Sequence, residues 1–244
     1  MTENLAAMAV VADPRAMTTT IAVLNQKGGS GKSTLVQNLA ACAHLRGKRT
    51  LLRDGDVQRT SHEWWAARAE DSRLRGLIVE RADDVKFWTF SRFKEVAQGY
   101  DVVFCDTPAS LGPVTNATAI VADVVLVPMK PLPADVWAAV QTKLLLDEAD
   151  AQRALFGIPP IRRAMVFNDV RSRTRDVALC REKLEPLGMG LLPIVVSQRV
   201  AFHRAQGLGE SVLTAEDGDV GARAEIEALF DALFSTATAQ GVAA

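Results

Sequence analysis

Asn25–Thr34 reads NQKGGSGKST. It closes on Gly31-Lys32-Ser33, the end of a phosphate-binding loop of the G-x-x-x-x-G-K-[ST] kind. Its opening departs from that pattern: the first glycine is missing from its standard place, and Lys27 stands one residue before Gly28. Gly28, Gly29 and Gly31, with Ser30 among them, let backbone N–H groups turn inward around phosphate oxygens. The N-terminus of the helix that follows adds the positive end of its dipole. Lys32 reaches the outer phosphates, and the Ser33 hydroxyl is a candidate Mg²⁺ ligand. Thr34 is placed to touch the innermost phosphate. The motif alone does not say what a second lysine does five residues upstream of Lys32.

The flanks fit such a loop. IAVLN (21–25) is a short buried strand, and a helix runs from Ser33 to about Arg46. RTLLRD (49–54), GLIVE (76–80), YDVVFCD (100–106), DVVLVP (123–128), RAMVFN (163–168) and LLPIVV (191–196) read as further strands. Helical stretches lie between most of them, including VKFWTFSRFKEVA as one helix. Strands alternating with helices predict one α/β domain whose mostly parallel sheet has helices on both faces. Three carboxylates then fall at strand ends. Asp106 follows four apolar residues, the layout of a Walker B carboxylate that holds Mg²⁺ directly or through water. Asp54 and Asp56, in RDGDVQ, face the same crevice, and one of them is suited to position an attacking water.

The chain has 244 residues, 48% hydrophobic and 23% charged, with a formal net charge of −1. Any basic surface must therefore be local. Cys42, Cys105 and Cys180 form no CxxC pair, and His44, His62 and His203 show no metal-ligand spacing. Lone thiols of this kind are expected buried, in a reducing cytoplasm. No apolar run approaches the ~20 residues a membrane span needs. Residues 1–18 read as a short flexible extension without a secretory pattern, and 19–244 as the domain.

KGGSGKST, DGDVQ, DVVFCDTPASLG, ADVVLVPMKP and FND, in that order and spacing, resemble the ParA/MinD group of deviant Walker A ATPases. The likeness runs from about Thr19 to the C-terminus and is strongest to short, ParF-type partition ATPases without an N-terminal helix-turn-helix. It implies a single-domain P-loop NTPase that uses ATP and Mg²⁺ and has weak intrinsic hydrolysis. It also implies a role for Lys27: in this family the upstream lysine crosses a dimer interface to the nucleotide of the partner. Lys27, Lys32 and Asp56 would then be catalytic, with Asp56 positioning water and Asp54 the other aspartate of the same switch. Asp106 matches the Walker B position, and Asn168, with Asp169 beside it, matches an adenine contact. The extended segment 107–118 would be a second switch. Val57 departs from the proline common at its place, while Gln58 is retained.

Arg162 to Arg204 holds nine basic residues against four acidic ones, and the chain after it holds one against seven. A local basic region on a near-neutral protein fits sequence-independent binding of nucleic-acid phosphates, and Arg171, Arg173, Arg175, Arg199 and Arg204 are the candidate DNA contacts. The resemblance implies an ATP-dependent homodimer on non-specific DNA, cytoplasmic and nucleoid-associated, stimulated by a ParB-like or other cargo adaptor. Two alternatives share the loop. A MinD-like membrane-cycling ATPase would end in a basic amphipathic helix, whereas EIEALFDALFSTATAQ has no lysine or arginine, which argues against stable membrane association. The other is a metabolic ATP-dependent enzyme on the same fold: an iron–sulfur reductase component, which would need clustered cysteines that Cys42, Cys105 and Cys180 do not offer, or an ATP-dependent synthetase.

Overall fold

The computed structural model describes residues 18–171, 175–216 and 218–238, so the expected extension falls almost wholly outside it. The strands are β1 (Thr19–Val23), β2 (Thr50–Asp54), β3 (Ile78–Arg81), β4 (Val102–Asp106), β5 (Val124–Met129), β6 (Arg162–Val170) and β7 (Leu191–Ser197). They form one parallel sheet in the order β3-β2-β4-β1-β5-β6-β7. The helices are α1 (Lys32–Leu45), α2 (Thr60–Ala66), α3 (Phe90–Ala97), α4 (Pro113–Val121), α5 (Pro133–Ala154), α6 (Arg175–Leu184), α7 (Val200–Gly207) and α8 (Val220–Thr238).

Alternation along β1 builds both cores. Ile21 and Val23 pack toward α1, α2, α7 and α8, through Leu35, Leu39, Trp64, Phe202 and Ile226. Ala22 and Leu24 pack toward α3, α4, α5 and α6, through Phe93, Ala119, Leu146 and Cys180. Strands buried on both faces explain why they read as continuous apolar runs. The three cysteines are buried free thiols. The strand order reverses at β1, with β4 on one side and β5 on the other. In open parallel sheets the crevice beyond the strand ends at such a switch point is where ligands sit.

Two readings need correction. VKFWTFSRFKEVA is not one helix: a 3₁₀ turn spans Val85–Trp88, Thr89 is extended, and α3 begins at Phe90. The Asp84 side chain caps the turn by accepting from Lys86 N–H. The Trp88 indole donates to Ala82 O at 2.6 Å, and the buried Arg53 guanidinium lies 4.6 Å from its ring centre. These contacts hold Trp88 inward and break the helical path. Residues 107–118 are not extended throughout, because α4 starts at Pro113, whose fixed φ suits a first helical turn.

Arg153 ties the second core together. Its buried guanidinium donates to Ile120 O and Ala122 O, both at 2.7 Å, and to Pro159 O at 2.8 Å. It thus satisfies carbonyls at the C-terminal end of α4 and in the turn before β6. Arg153→Ala is expected to lower stability by about 3 kcal/mol, since it removes several charge-assisted bonds and strands buried acceptors. A urea midpoint equal to that of the unmodified chain would refute this role.

Candidate nucleotide-binding site

β1 ends at Val23 in the centre of the sheet, and the chain turns through Asn25–Gly31 into α1. Asn25 shapes the turn: its Oδ1 accepts from Lys27 N–H at 2.9 Å, and its Nδ2 donates to Pro128 O at 2.7 Å. Gly29 (φ 71°) and Gly31 (φ 85°) are left-handed, a conformation that favours glycine. Gly31 is also the residue before α1 and provides no side-chain cap, so the first N–H groups of the helix remain for a ligand. Lys32 is buried and its ammonium lies 3.4 Å from Lys27 O, folded back over the loop. Burial lowers its pKa, while the charges of Asp106 and Asp56 pull it back up.

The register brings the carboxylates abreast. Asp106 pairs with Val23 on one side and with Asp54 on the other. Asp106 is wholly buried, and burial together with the Asp54 charge pushes its pKa up to about 7, against the pull of the Ser61 and Ser33 hydroxyls and the Lys32 charge. Its Oδ2 accepts from Ser61 Oγ at 2.7 Å, while its buried Oδ1 has no hydrogen-bond partner. Asp54 is raised by burial and steadied by N–H groups: Oδ1 accepts from Asp56 N–H at 3.1 Å, and Oδ2 from His62 N–H at 2.8 Å. Two buried carboxylates side by side, one with an orphaned oxygen, are a donor set fit for a hard divalent cation. Asp56 is half-buried on the loop between β2 and α2, and its Oδ1 accepts from Gln58 N–H at 2.9 Å.

Lys27 is held within its own chain. Its ammonium pairs at 2.5 Å with Asp135, a fully buried carboxylate in the first turn of α5 that also accepts from Lys130 N–H. Beside the pair, Gln26, Lys27, Ala134, Trp137 and Gln141 line a shallow hollow of about 450 Å³. Trp137 is 71% exposed there. Sequence reading missed Asn25, Ser61 and Asp135. Asn25 carried a signal, an asparagine at a turn whose side chain bonds the backbone two residues on. Ser61 and Asp135 carried none.

Asn168 sits at the same crevice, with its Nδ2 donating to Ser30 O at 2.8 Å. Asp169 is left-handed (φ 57°) and pairs with Lys130 at 2.6 Å. The arginines separate. Arg171 follows β6 and donates to Gln198 at 3.1 Å, and Arg204 is exposed on α7. Arg199 is engaged by Asp219 at 3.1 Å and Glu225 at 2.9 Å. Arg175 opens α6, and Arg173 lies outside the described residues. Arg162 and Arg163 begin β6, at the opposite end of that strand from Arg171, so the basic run is not one surface.

Comparison with known proteins agrees with this geometry. The model of the CobQ/CobB/MinD/ParA nucleotide binding domain matches residues 21–212. The chain is 30% identical over 196 residues to the Maintenance of carboxysome distribution protein A of Halothiobacillus neapolitanus, covering 79% of this chain and 86% of that protein. It is 34% identical over 140 residues to the chromosome-partitioning ATPase Soj of Thermus thermophilus, covering 48% and 56%. Its fold matches the Cyanothece McdA–ATP complex with a TM-score of 0.74 at 14% identity, covering 88% and 96%.

A Cβ at Gly31 would lie 2.1 Å from Asn168 Nδ2. Gly31→Ala therefore combines that clash with about 1–2 kcal/mol of left-handed strain. Affinity for a fluorescent nucleotide is expected to fall at least about tenfold, and undiminished binding would contradict the loop geometry.

Proposed function

The chain belongs to the CobQ/CobB/MinD/ParA nucleotide-binding domain family, and on that premise we propose that it is a ParA-type positioning ATPase. It binds ATP with Mg²⁺, dimerises around the nucleotide, holds DNA without sequence preference, and hydrolyses ATP when a cargo adaptor engages it. The observation that carries this function is the pair Asp54 and Asp106 at the mouth of the glycine loop, with Asp106 Oδ1 unpartnered.

The roles follow from position. Gly28, Gly29, Ser30 and Gly31 cradle phosphates, and the N-terminus of α1 faces them. Lys32 neutralises charge at the outer phosphates. Ser33 and Asp106, with Asp54 behind, would hold Mg²⁺, which when bound offsets charge that builds on the phosphates. Asp56 orients the attacking water. Asn168, with Asp169 beside it, would contact the adenine. Thr34 completes the phosphate contacts. Lys27 leaves Asp135 and reaches the nucleotide of a second subunit, adding a cation where charge develops in the transition state.

The dimer face would include the hollow beside Lys27, where an exposed tryptophan is the kind of residue that anchors an interface. The adaptor would be a ParB-like protein or one that marks a protein cargo. The carboxysome-distribution relative, which matches most of the chain, favours a protein assembly over a chromosome. Among the described residues no helix is long and apolar enough to cross a membrane.

Two outcomes separate this cycle from a monomeric ATPase. Lys27→Ala is expected to abolish hydrolysis, and Asp56→Ala to keep an ATP dimer by light scattering while turnover stops. Rapid turnover by a monomeric Lys27→Ala chain would sink the sandwich. Binding to random-sequence duplex is expected with ATP and not with ADP, and to weaken steeply with salt as phosphate counterions are released. No binding with either nucleotide, in protein that dimerises on ATP, would remove DNA from the cycle.

A further inference from the structure

α2 docks by its first turn onto both strand-end carboxylates. Ser61, 0% exposed, donates its hydroxyl hydrogen to Asp106 Oδ2 at 2.7 Å. Ser61 Oγ in turn accepts from Gln37 Nε2 at 3.3 Å, and that amide also donates to Thr60 O at 3.3 Å. One residue on, His62 N–H holds Asp54 Oδ2. The loop that carries Asp56 is therefore fastened at both ends. Its start is tied by Gly55 N–H to Asp106 O at 3.0 Å, and its end by Ser61 to the Asp106 side chain.

We propose that Ser61 is a positioning residue for the metal site. It fixes the rotation of the Asp106 carboxylate and joins it to the Asp56 loop. A carboxylate on a short side chain turns freely about its last bond unless one oxygen is held. Ser61 holds Oδ2, and its direction is set because Gln37 occupies its acceptor side. Oδ1 is then the oxygen left for a cation, and it is the buried atom without a partner. This is the arrangement in which an outer hydrogen bond orients a ligand and tunes affinity for the metal, where loss of the orienting group typically costs ~10–100-fold. Because Ser61 is also the second residue of α2, movement of the metal-bound carboxylate is felt by the loop that carries Asp56.

The inference rests on the proposed Mg²⁺-nucleotide site, and one titration tests the two separately. Fluorescent ATP binding is measured in EDTA and then against rising Mg²⁺, for the unmodified chain, Ser61→Ala, Ser61→Thr and Gln37→Leu. Ser61→Ala is expected to raise the Mg²⁺ midpoint about tenfold and to leave affinity in EDTA within about twofold. Ser61→Thr, which keeps the hydroxyl, should recover most of the shift. Gln37→Leu, which frees the hydroxyl without removing it, should shift the midpoint in the same direction by less and stands in if Ser61→Ala does not fold. An unchanged Mg²⁺ midpoint in Ser61→Ala, with normal Mg²⁺ dependence in the unmodified chain, overturns the role of Ser61 alone. Equal losses in EDTA and in Mg²⁺ also overturn it, because they indicate a general structural defect. Absence of Mg²⁺-dependent binding in the unmodified chain overturns both this role and the function it rests on.

Discussion

Two like charges placed side by side inside a protein repel, and burial makes each costlier to keep ionised. β2 and β4 end in just such a pair, Asp54 and Asp106, abreast in the sheet register. Much of the surrounding structure answers that constraint. Lys32 folds back over the loop and is attracted to Asp106. Backbone N–H groups of Asp56 and His62 take the oxygens of Asp54, and Ser61 takes one oxygen of Asp106. What is left unbalanced is one oxygen and an excess of negative charge, which a divalent cation would complete. A pair so placed is poor for stability and well suited to binding.

The phosphate loop was legible because its chemistry fixes spacing along a single segment. Glycines must turn backbone donors inward, and a lysine and hydroxyl must follow at once. Asp54 and Asp106 were legible for a related reason: an acid that ends a strand marks the mouth of a parallel sheet. The sheet itself followed from runs of Val, Leu and Ile too apolar for a solvent-facing strand. Ser61 and Asp135 were not legible. Their partners lie 45 and 108 residues away in the chain, and only the assembled sheet brings them together.

Other readings faltered where tertiary contact overrode local pattern. Helical periodicity over Val85–Ala97 was real, yet Trp88 is drawn inward by Ala82 O and Arg53, and the helix breaks there. The basic run from Arg162 to Arg204 combined residues from opposite ends of β6, because a window along a strand cannot tell its beginning from its end. Arg163 is spent on Asp147 and Asp150, far from Arg171 at the other end of β6. Composition found the charge and could not place it.

The contact between Lys27 and Asp135 has a bearing on how nucleotides are told apart in the proposed cycle. One ammonium cannot neutralise a carboxylate of its own chain and a phosphate of another at once. Assembly is then an exchange of counter-ions, and its driving force is a difference between two attractions. Leaving Asp135, which has no exposed surface, strands a charge where water cannot reach it. A weakly charged ligand would not draw the lysine away, and a nucleotide with an additional phosphate pulls harder. In the proposed cycle the buried aspartate would compete for the lysine, sharpening the distinction between triphosphate and diphosphate before any bond is broken.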